Sequence, residues 1–202
     1  MAVGEECARL PEVAPESLAA RILGEATRMF AHRGFASTSV REVVEACGCT
    51  KPALYYHFTN KVGLYRAAIG FTVRRLEAVY APMLEEAPFA ERLRRGIECM
   101  RVHAEKYPDD LRLLFRAESE ATIHPDLIDV RTMRANDLAL LEGLLSEGVA
   151  RGELRPDLPI KGAAIALVGA MHMWFQMWLD GHPLDTEFEH STLTVYLNGV
   201  LA

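Results

Sequence analysis

Apolar residues recur along nearly the whole chain at the spacing i, i+3, i+4, i+7, which is typical of amphipathic α-helices. No stretch alternates polar and apolar residues for long enough to indicate a strand. Proline, glycine and capping residues separate the helical segments. Helices are predicted over residues 15–33, 40–47, 51–58, 61–82, 88–107, 109–121, 125–150, 160–180 and 184–201. We therefore expect an all-α fold of about nine helices.

Residues 38–61 carry the densest set of local signals. Ser39 and Glu42 have the spacing of a capping box, so a helix should begin near residue 40. Gly48 can end that helix in the left-handed conformation. Thr50 can cap a second, short helix with Pro52 in its first turn, where a missing N–H matters little. Two short helices joined by a glycine turn predict a helix-turn-helix that reads DNA.

The spacing also divides this segment into an inner and an outer face. One side of the first helix carries Val40, Val43, Val44 and Cys47, and Leu54 and Phe58 point inward from the second. The remaining positions of the second helix point elsewhere: Lys51, Ala53, Tyr55, Tyr56 and His57. An ordinary solvated helix face would present similar residues. The capping box, the glycine turn and Lys61 at the next helix start together favour DNA contact.

The segment resembles the tetracycline-repressor (TetR) family of bacterial regulators. The resemblance rests on residues 34–35, 38–41 and 46–48 and above all on residues 54–58 with Lys61, and it covers roughly residues 17–66. Cys49 stands where an aliphatic residue is usual, and Pro52 where glycine or a small residue is common. The remainder of the chain resembles the family only in length and helical character.

The resemblance implies a role for each residue of the motif. Five would lie in the major groove of DNA: Lys51, Pro52, Ala53, Tyr55 and Tyr56. Four would hold phosphates: Thr38, Arg41, His57 and Lys61. Lys51 can donate to guanine, whereas Pro52 and Ala53 offer apolar contact to a thymine methyl. Because so few side chains read bases, a dimer on a double-stranded operator is needed for useful specificity.

Charge is distributed unevenly along the chain. The net charge is −6, which argues against a protein that binds nucleic acid non-specifically over its whole surface. Residues 16–66 nevertheless carry seven basic and four acidic side chains, a balance of +3 that leaves −9 for the rest. A locally basic end on an acidic body suits contact with phosphate at one place.

Other kinds of site have weak support. Cys47 and Cys49 could suggest redox or metal chemistry, but one C-x-C pair is a poor zinc signature, and small buried hydrophobes are the favoured interpretation. No histidine spacing is typical of a metal site, and no nucleophile elbow, phosphate loop or dinucleotide fingerprint occurs. We therefore expect no catalytic residue, no metal and no cofactor.

The expected domains are a DNA-binding head over residues 1–66, with a mobile tail over residues 1–15, and an effector-binding and dimerisation domain over residues 67–202. By resemblance, the last two helices form the homodimer. A largely apolar effector cavity is predicted from bulky side chains on inward stripes of separate helices: Met100, His103, Phe115, Met133, Met171, Trp174 and Phe175. The same side chains could instead fill a core and leave no room.

The apolar segment 163–179 has three interpretations that can hold on different faces: core, cavity wall and dimer seam. It contains His172 and Gln176 and falls short of the ~20 residues of a membrane span, so no membrane partner is expected. We predict a cytoplasmic regulator, a repressor released from a palindromic operator by a small apolar effector. The alternative is a regulator of the same fold that activates, or that has no effector.

Overall fold

The computed structural model describes residues 17–183 and 186–201, apart from the side chains of residues 186–189. Within these ranges the chain contains no strand, only an isolated bridge between Leu154 and Leu201 and a short 3-10 helix, Ala81–Leu84. It forms nine α-helices: α1 (Leu18–Ser37), α2 (Val40–Cys47), α3 (Lys51–His57), α4 (Lys61–Val79), α5 (Phe89–Lys106), α6 (Pro108–Ile123), α7 (Val130–Ala150), α8 (Ile160–Leu179) and α9 (Thr186–Val200). The predicted all-α fold is confirmed, and the predicted mobile tail lies outside the described residues.

The largest departure from the predicted helix boundaries is at the start of α7. Helix α7 begins at Val130, five residues later than the sequence pattern suggested. In the connection before it, the Leu127 amide donates to the His124 carbonyl in a turn. The Arg66 guanidinium donates to the carbonyls of Asp126 (2.5 Å) and Leu127 (3.0 Å). These contacts hold the segment as a loop that sequence periodicity alone cannot reveal.

The chain divides into two compact units. The first contains the described residues up to Ala81 together with Glu98–Val130, and the second contains Pro82–Ile97 with Arg131–Ala202. Helix α5 therefore contributes residues to both. The expected functional boundary after residue 66 concerns which residues bind DNA and which bind effector, and it stays a prediction.

The core of the first unit is an aromatic and aliphatic cluster. Ile22, Phe30 and Leu64 are completely buried, as is Tyr65, whose ring meets that of Phe30 edge-on at 4.8 Å between centroids. Each such side chain contributes about 1.5–3 kcal/mol through burial. Val43 of α2 and Leu54 of α3 are also completely buried. The two short helices are therefore held through the apolar positions that the sequence pattern predicted.

Gly34 interrupts α1 because the chain turns sharply there. Its backbone adopts φ 80° and ψ 174°, a conformation that is essentially restricted to glycine. A Cβ at this position would lie 2.5 Å from Glu120 Oε1 and 2.7 Å from Arg116 Nη1. Conformation and space therefore both require glycine at this turn, which leads the chain from α1 to α2.

Helix α7 contributes part of the core of the second unit. Leu144 and Leu145 are buried, and Leu154 packs so closely on Gly148 that a Cβ there would meet it at 2.8 Å. Arg92 is also buried, donating from Nε to the Met83 carbonyl at 2.7 Å. Its Nη1 lies 2.9 Å from a Glu147 carboxylate oxygen. The buried guanidinium is thus partnered on two sides.

Candidate nucleic-acid interface

The helix-turn-helix forms as its sequence signals predict. Ser39 Oγ accepts from the Glu42 amide at 3.2 Å, and the Glu42 carboxylate accepts from the Ser39 amide at 2.9 Å, completing the capping box. Gly48 takes the left-handed conformation at φ 60°. Thr50 Oγ1 accepts from the Ala53 amide at 3.3 Å and so caps α3. Local hydrogen bonds therefore determine where both short helices begin.

Helix α3 packs against the protein core on one side and is exposed to solvent on the other. Leu54 is completely buried and Phe58 is 8% exposed. Tyr55 and Tyr56 are 47% and 86% exposed, which is unusual for large aromatic side chains of a folded domain. Lys51, Pro52 and His57 are exposed as well, whereas Ala53 is half-buried. The five predicted base-reading residues thus belong to a helix whose orientation is set by two buried anchors.

The predicted phosphate contacts are in different surroundings. The Arg41 side chain is 77% exposed, and its Nε lies 2.7 Å from the Glu45 carboxylate. His57 is exposed and meets the Tyr56 ring edge-on at 5.1 Å between centroids. Both side chains are exposed, so a phosphate could contact either without any change in the protein core. Arg41 would have to exchange its contact with Glu45 for one with phosphate.

Lys61 is more constrained than its sequence position suggested. Its Nζ donates to the Ala36 carbonyl at 3.2 Å and lies 4.5 Å from the centroid of the Phe35 ring. Partial burial lowers the pKa of its ammonium group. The cation is consequently pre-positioned beside the turn that joins α1 to α2, and a phosphate contact there remains a prediction.

The structure corrects the role predicted for the Thr38 side chain. Its side chain is 2% exposed, and its hydroxyl donates to the Gly34 carbonyl at 2.9 Å. A hydroxyl buried and engaged in this way cannot present itself to a phosphate. The prediction of a side-chain phosphate contact for Thr38 is therefore wrong, and the residue instead stabilises the turn after Gly34.

The interpretation of Cys47 as a small buried hydrophobe is supported. Cys47 is 5% exposed, and burial raises the pKa of its thiol to about 11. Cys49, predicted to be buried as well, is half-buried, and both cysteines are free thiols. A buried thiol of raised pKa is a poor nucleophile and a poor metal ligand. Within residues 17–183 and 186–201, no three His, Cys, Asp or Glu side chains are grouped as a metal ion requires.

A contact that sequence reasoning missed links α6 to the motif. Glu120 accepts from the Tyr65 hydroxyl at 2.6 Å and from the Phe35 amide at 3.0 Å. Burial, followed by this hydrogen bond, raises the pKa of the Tyr65 phenol. The carboxylate thereby ties α4 and the turn after Gly34 to one point on α6. Glu120 carries no local signal, because its partners lie 55 and 85 residues earlier.

The predicted effector residues fall in both units. Met100, His103 and Phe115 belong to the first unit, where His103 is 2% exposed and its Nε2 lies 3.0 Å from Asp110 Oδ2. The other four belong to the second: Met133, Met171, Trp174 and Phe175. Trp174 and Phe175 are buried, with ring centroids 5.0 Å apart, and Met133 and Met171 are half-buried. A shared effector cavity stays a prediction.

Helix α8 is buried on one side only. Its buried residues are Ala163, Ala164, Leu167, Trp174 and Phe175. Ile165 and Met173, in contrast, are 51% and 58% exposed. Among the described helices, α8 alone is long and apolar enough to cross a membrane, a test that core helices of soluble proteins also pass. One face of α8 therefore belongs to the core, whereas its roles as cavity wall and dimer seam on other faces stay predictions.

Comparison with known proteins agrees with this geometry. Residues 22–68 match the family profile of bacterial regulatory proteins of the tetR family, and residues 86–197 match the tetracyclin repressor-like C-terminal domain. The HTH-type transcriptional repressor KstR2 of Mycolicibacterium smegmatis is 24% identical over 188 residues, 92% of each chain. The HTH-type transcriptional repressor ComR of Escherichia coli is 29% identical over 148 residues, 68% of each chain.

Solved structures show the same fold. TylP, a TetR regulator from Streptomyces fradiae, superposes with a TM-score of 0.76 at 24% identity, covering 95% of this chain and 89% of that one. The two profiles together cover most of the chain, including all of the helix-turn-helix and helices α5 to α8. The chain belongs to the tetracycline-repressor family of bacterial regulatory proteins, which are DNA-binding transcription factors and not enzymes.

Proposed function

We propose that this DNA-binding regulator is a repressor that reads a palindromic operator as a homodimer and leaves it when a small effector binds. Helix α3 enters the major groove with Lys51, Pro52, Ala53, Tyr55 and Tyr56. Arg41, His57 and Lys61 hold the flanking phosphates. The observation that carries this proposal is the pair of exposed tyrosines on a helix anchored by Leu54 and Phe58. Repression is supported by the relatives, which are named transcriptional repressors.

The proposed homodimer forms through α8 and α9. One stripe of α8 is exposed at helical spacing: Gly162, Ile165, Ala166, Gly169, His172 and Met173. On α9 the exposed set includes Val195, at 75%, and Gly199 one turn further on. Small residues beside exposed Ile, Met and Val allow close helix approach and leave apolar area that a second copy would remove from water. Two such pairs would make a four-helix bundle.

The functional division follows from these assignments. Residues 1–66 would supply DNA contact, and residues 67–202 would supply dimerisation and effector binding. Two copies of α3 must lie about 34–36 Å apart to enter successive major grooves. An effector that favours another separation lowers operator affinity, and a typical coupling of 1–3 kcal/mol corresponds to about 5- to 150-fold. Glu120 supports a route for this coupling, because it joins α6 to α4 and to the turn before α2.

Selection of bound sites from random duplex DNA tests the proposal. We expect a palindrome with two half-sites, recovered at 150 mM salt and lost when Tyr55 and Tyr56 are both replaced by alanine. The matched control replaces Leu84 by alanine, since this exposed side chain lies outside α3. A protein that enriches no sequence, or an alanine variant that enriches the same palindrome, would contradict the assignment of α3.

A further inference from the structure

A cluster of ionisable side chains lies in the first unit, on α4, α5 and α6; His103 and Asp110 are buried in it and Arg75 is half-buried. Asp110 of α6 is 2% exposed and lies 3.0 Å from His103 Nε2 and 3.3 Å from Arg75 Nε. The Arg75 guanidinium carbon lies 3.5 Å from the centroid of the Tyr107 ring. Three helices, α4, α5 and α6, thus hold one guanidinium in place by an ion pair and by stacking on an aromatic ring.

This cluster has more hydrogen-bond donors than acceptors. Arg75 Nη2 is buried and, within the described part of the chain, has no hydrogen-bond partner. Thr72 precedes Arg75 by three residues on α4, so the two share a helix face. Thr72 is completely buried, and its hydroxyl also lacks a partner among the described residues. Buried polar atoms are almost always paired, so two unpaired ones on one face require an explanation.

The chemistry of the unpaired atoms defines what is missing. A guanidinium N–H can only donate, and a threonine hydroxyl can donate to the same group. The missing partner is therefore an acceptor. Asp110 already holds the Nε side of Arg75, which leaves the terminal nitrogen directed elsewhere. A carboxylate suits a guanidinium better than a neutral oxygen does, because the hydrogen bond is then charge-assisted.

Apolar surface lies close to the same guanidinium. The Phe71 ring centroid is 5.5 Å from the Arg75 guanidinium carbon, and Phe71 is 8% exposed. Met100, one helical turn before His103 on α5, is buried in the same unit. An occupant of this region would meet two polar donors at one end and aromatic side chains beside them. That combination matches an amphipathic acid.

We propose that Arg75 and Thr72 bind the carboxylate of an amphipathic organic acid, with Asp110 and His103 as positioning residues for Arg75. The inference rests on the proposed function in one respect, since it takes this acid to be the effector. It changes the expected ligand from a largely apolar molecule to one with an anionic end. The site lies within the first unit and needs no residue of the second.

Two matched pairs of probes test the proposal by calorimetry on the full chain: octanoate against octanol, and naphthylacetate against naphthylethanol. We expect at least one acid to bind about tenfold or more tightly than its alcohol. Arg75→Met should remove this preference and leave the alcohol's affinity nearly unchanged. Equal affinities within both pairs, no acid binding at millimolar concentration, or a preference that survives Arg75→Met would each overturn the proposal.

Thr72→Val provides a second variant if Arg75→Met does not fold. Replacing an unpaired buried hydroxyl by a methyl of the same shape removes a desolvated group that has no partner. The variant should therefore unfold at a higher urea concentration while binding the acid about threefold to tenfold more weakly. A lower urea midpoint with unchanged acid affinity would show that the hydroxyl has a structural role, and would overturn the site.

Thr27→Val is the matched control. Thr27 of α1 is 4% exposed, and its hydroxyl also has no partner in the described ranges. This variant should gain stability in the same way and bind the acid like the wild type. Operator binding is measured on the same preparations without probe. Acid binding without DNA binding would contradict the proposed regulator alone, whereas DNA binding without acid binding would contradict this site alone.

Discussion

Helices α3 and α8 both leave large side chains outside the core, yet what they expose is different. Helix α3 exposes Tyr55 and Tyr56, whose hydroxyls can hydrogen-bond to bases or phosphates while the rings give contact area. Helix α8 exposes Ile165 and Met173, which have no hydrogen-bond donor and only the weak thioether acceptor of Met173. Aromatic side chains with a hydroxyl suit a hydrated interface such as that with DNA. Aliphatic and thioether side chains suit the water-excluding core of a protein–protein interface. The chemistry of an exposed side chain thus indicates the kind of partner.

The largest expected effect concerns the proposed dimer interface through α8 and α9. Met173→Glu would place a carboxylate from each protomer between apolar surfaces, where an unpaired charge is strongly disfavoured. We expect the dimer dissociation constant to rise by roughly 10²- to 10⁴-fold. Light scattering after size exclusion measures this. Leu84→Glu, at a residue 60% exposed outside α8 and α9, is the control and should remain dimeric. A dimeric Met173→Glu protein would place the interface elsewhere.

The next effect concerns the turn that positions the motif. Gly34→Ala forces a side chain into a glycine-only conformation and against Glu120 and Arg116. We expect a loss of about 2–3 kcal/mol in the free energy of unfolding. Gly24→Ala is the control, because Gly24 lies within α1 and a Cβ added there would have open space around it. That variant should gain up to about 1 kcal/mol. Urea unfolding compares the two, and equal effects would contradict the account of the turn.

Two residues on α3 should separate stability from recognition. Leu54→Ala empties a completely buried position and should lower the free energy of unfolding by about 2–5 kcal/mol. Tyr56→Ala removes a side chain that is 86% exposed and should change the free energy of unfolding by no more than about 0.5 kcal/mol. Operator affinity should nevertheless fall in the Tyr56 variant. A Tyr56→Ala protein that binds its operator like the wild type would show that α3 does not carry recognition there.

The smallest effects distinguish phosphate contact from base reading. Lys61→Met should weaken binding to cognate and random duplex alike, and should reduce the slope of log affinity against log salt by about one. Lys51→Met should instead relax preference at one position of each half-site, at a cost of about 1–3 kcal/mol. Anisotropy titrations over a salt series separate the two. Identical behaviour of both variants would leave no distinction between their roles.

The sequence predicted what depends on neighbouring residues. Ser39, Glu42, Gly48 and Thr50 act within three or four positions, so their spacing was enough to locate α2 and α3. Leu54 and Phe58 were identified as inward-facing from helical periodicity, and both are buried. The TetR resemblance then supplied roles that local physics could not.

Most of what was missed depends on residues far apart in the chain. Thr38 is the exception: the family resemblance assigned it to phosphate, whereas its hydroxyl donates to the carbonyl of Gly34, four positions earlier. Glu120 reaches Phe35 across 85 positions, and Arg75 of α4 meets Asp110 of α6 across 35. Arg66 holds the loop before α7, which periodicity had assigned to a helix. Side-chain hydrogen bonds between residues far apart in the chain produce no periodic pattern in the sequence from which they could be predicted.

The central claim is that two anchored copies of α3 read one palindrome in successive major grooves. Methylation protection on the selected duplex tests this directly, because it reports contact at guanine in the major groove. We predict two protected patches centred one helical turn apart, about 10–10.5 base pairs, that both disappear with Met173→Glu. A single patch, protection confined to the minor groove, or an unchanged pattern with the Met173→Glu protein would contradict the account.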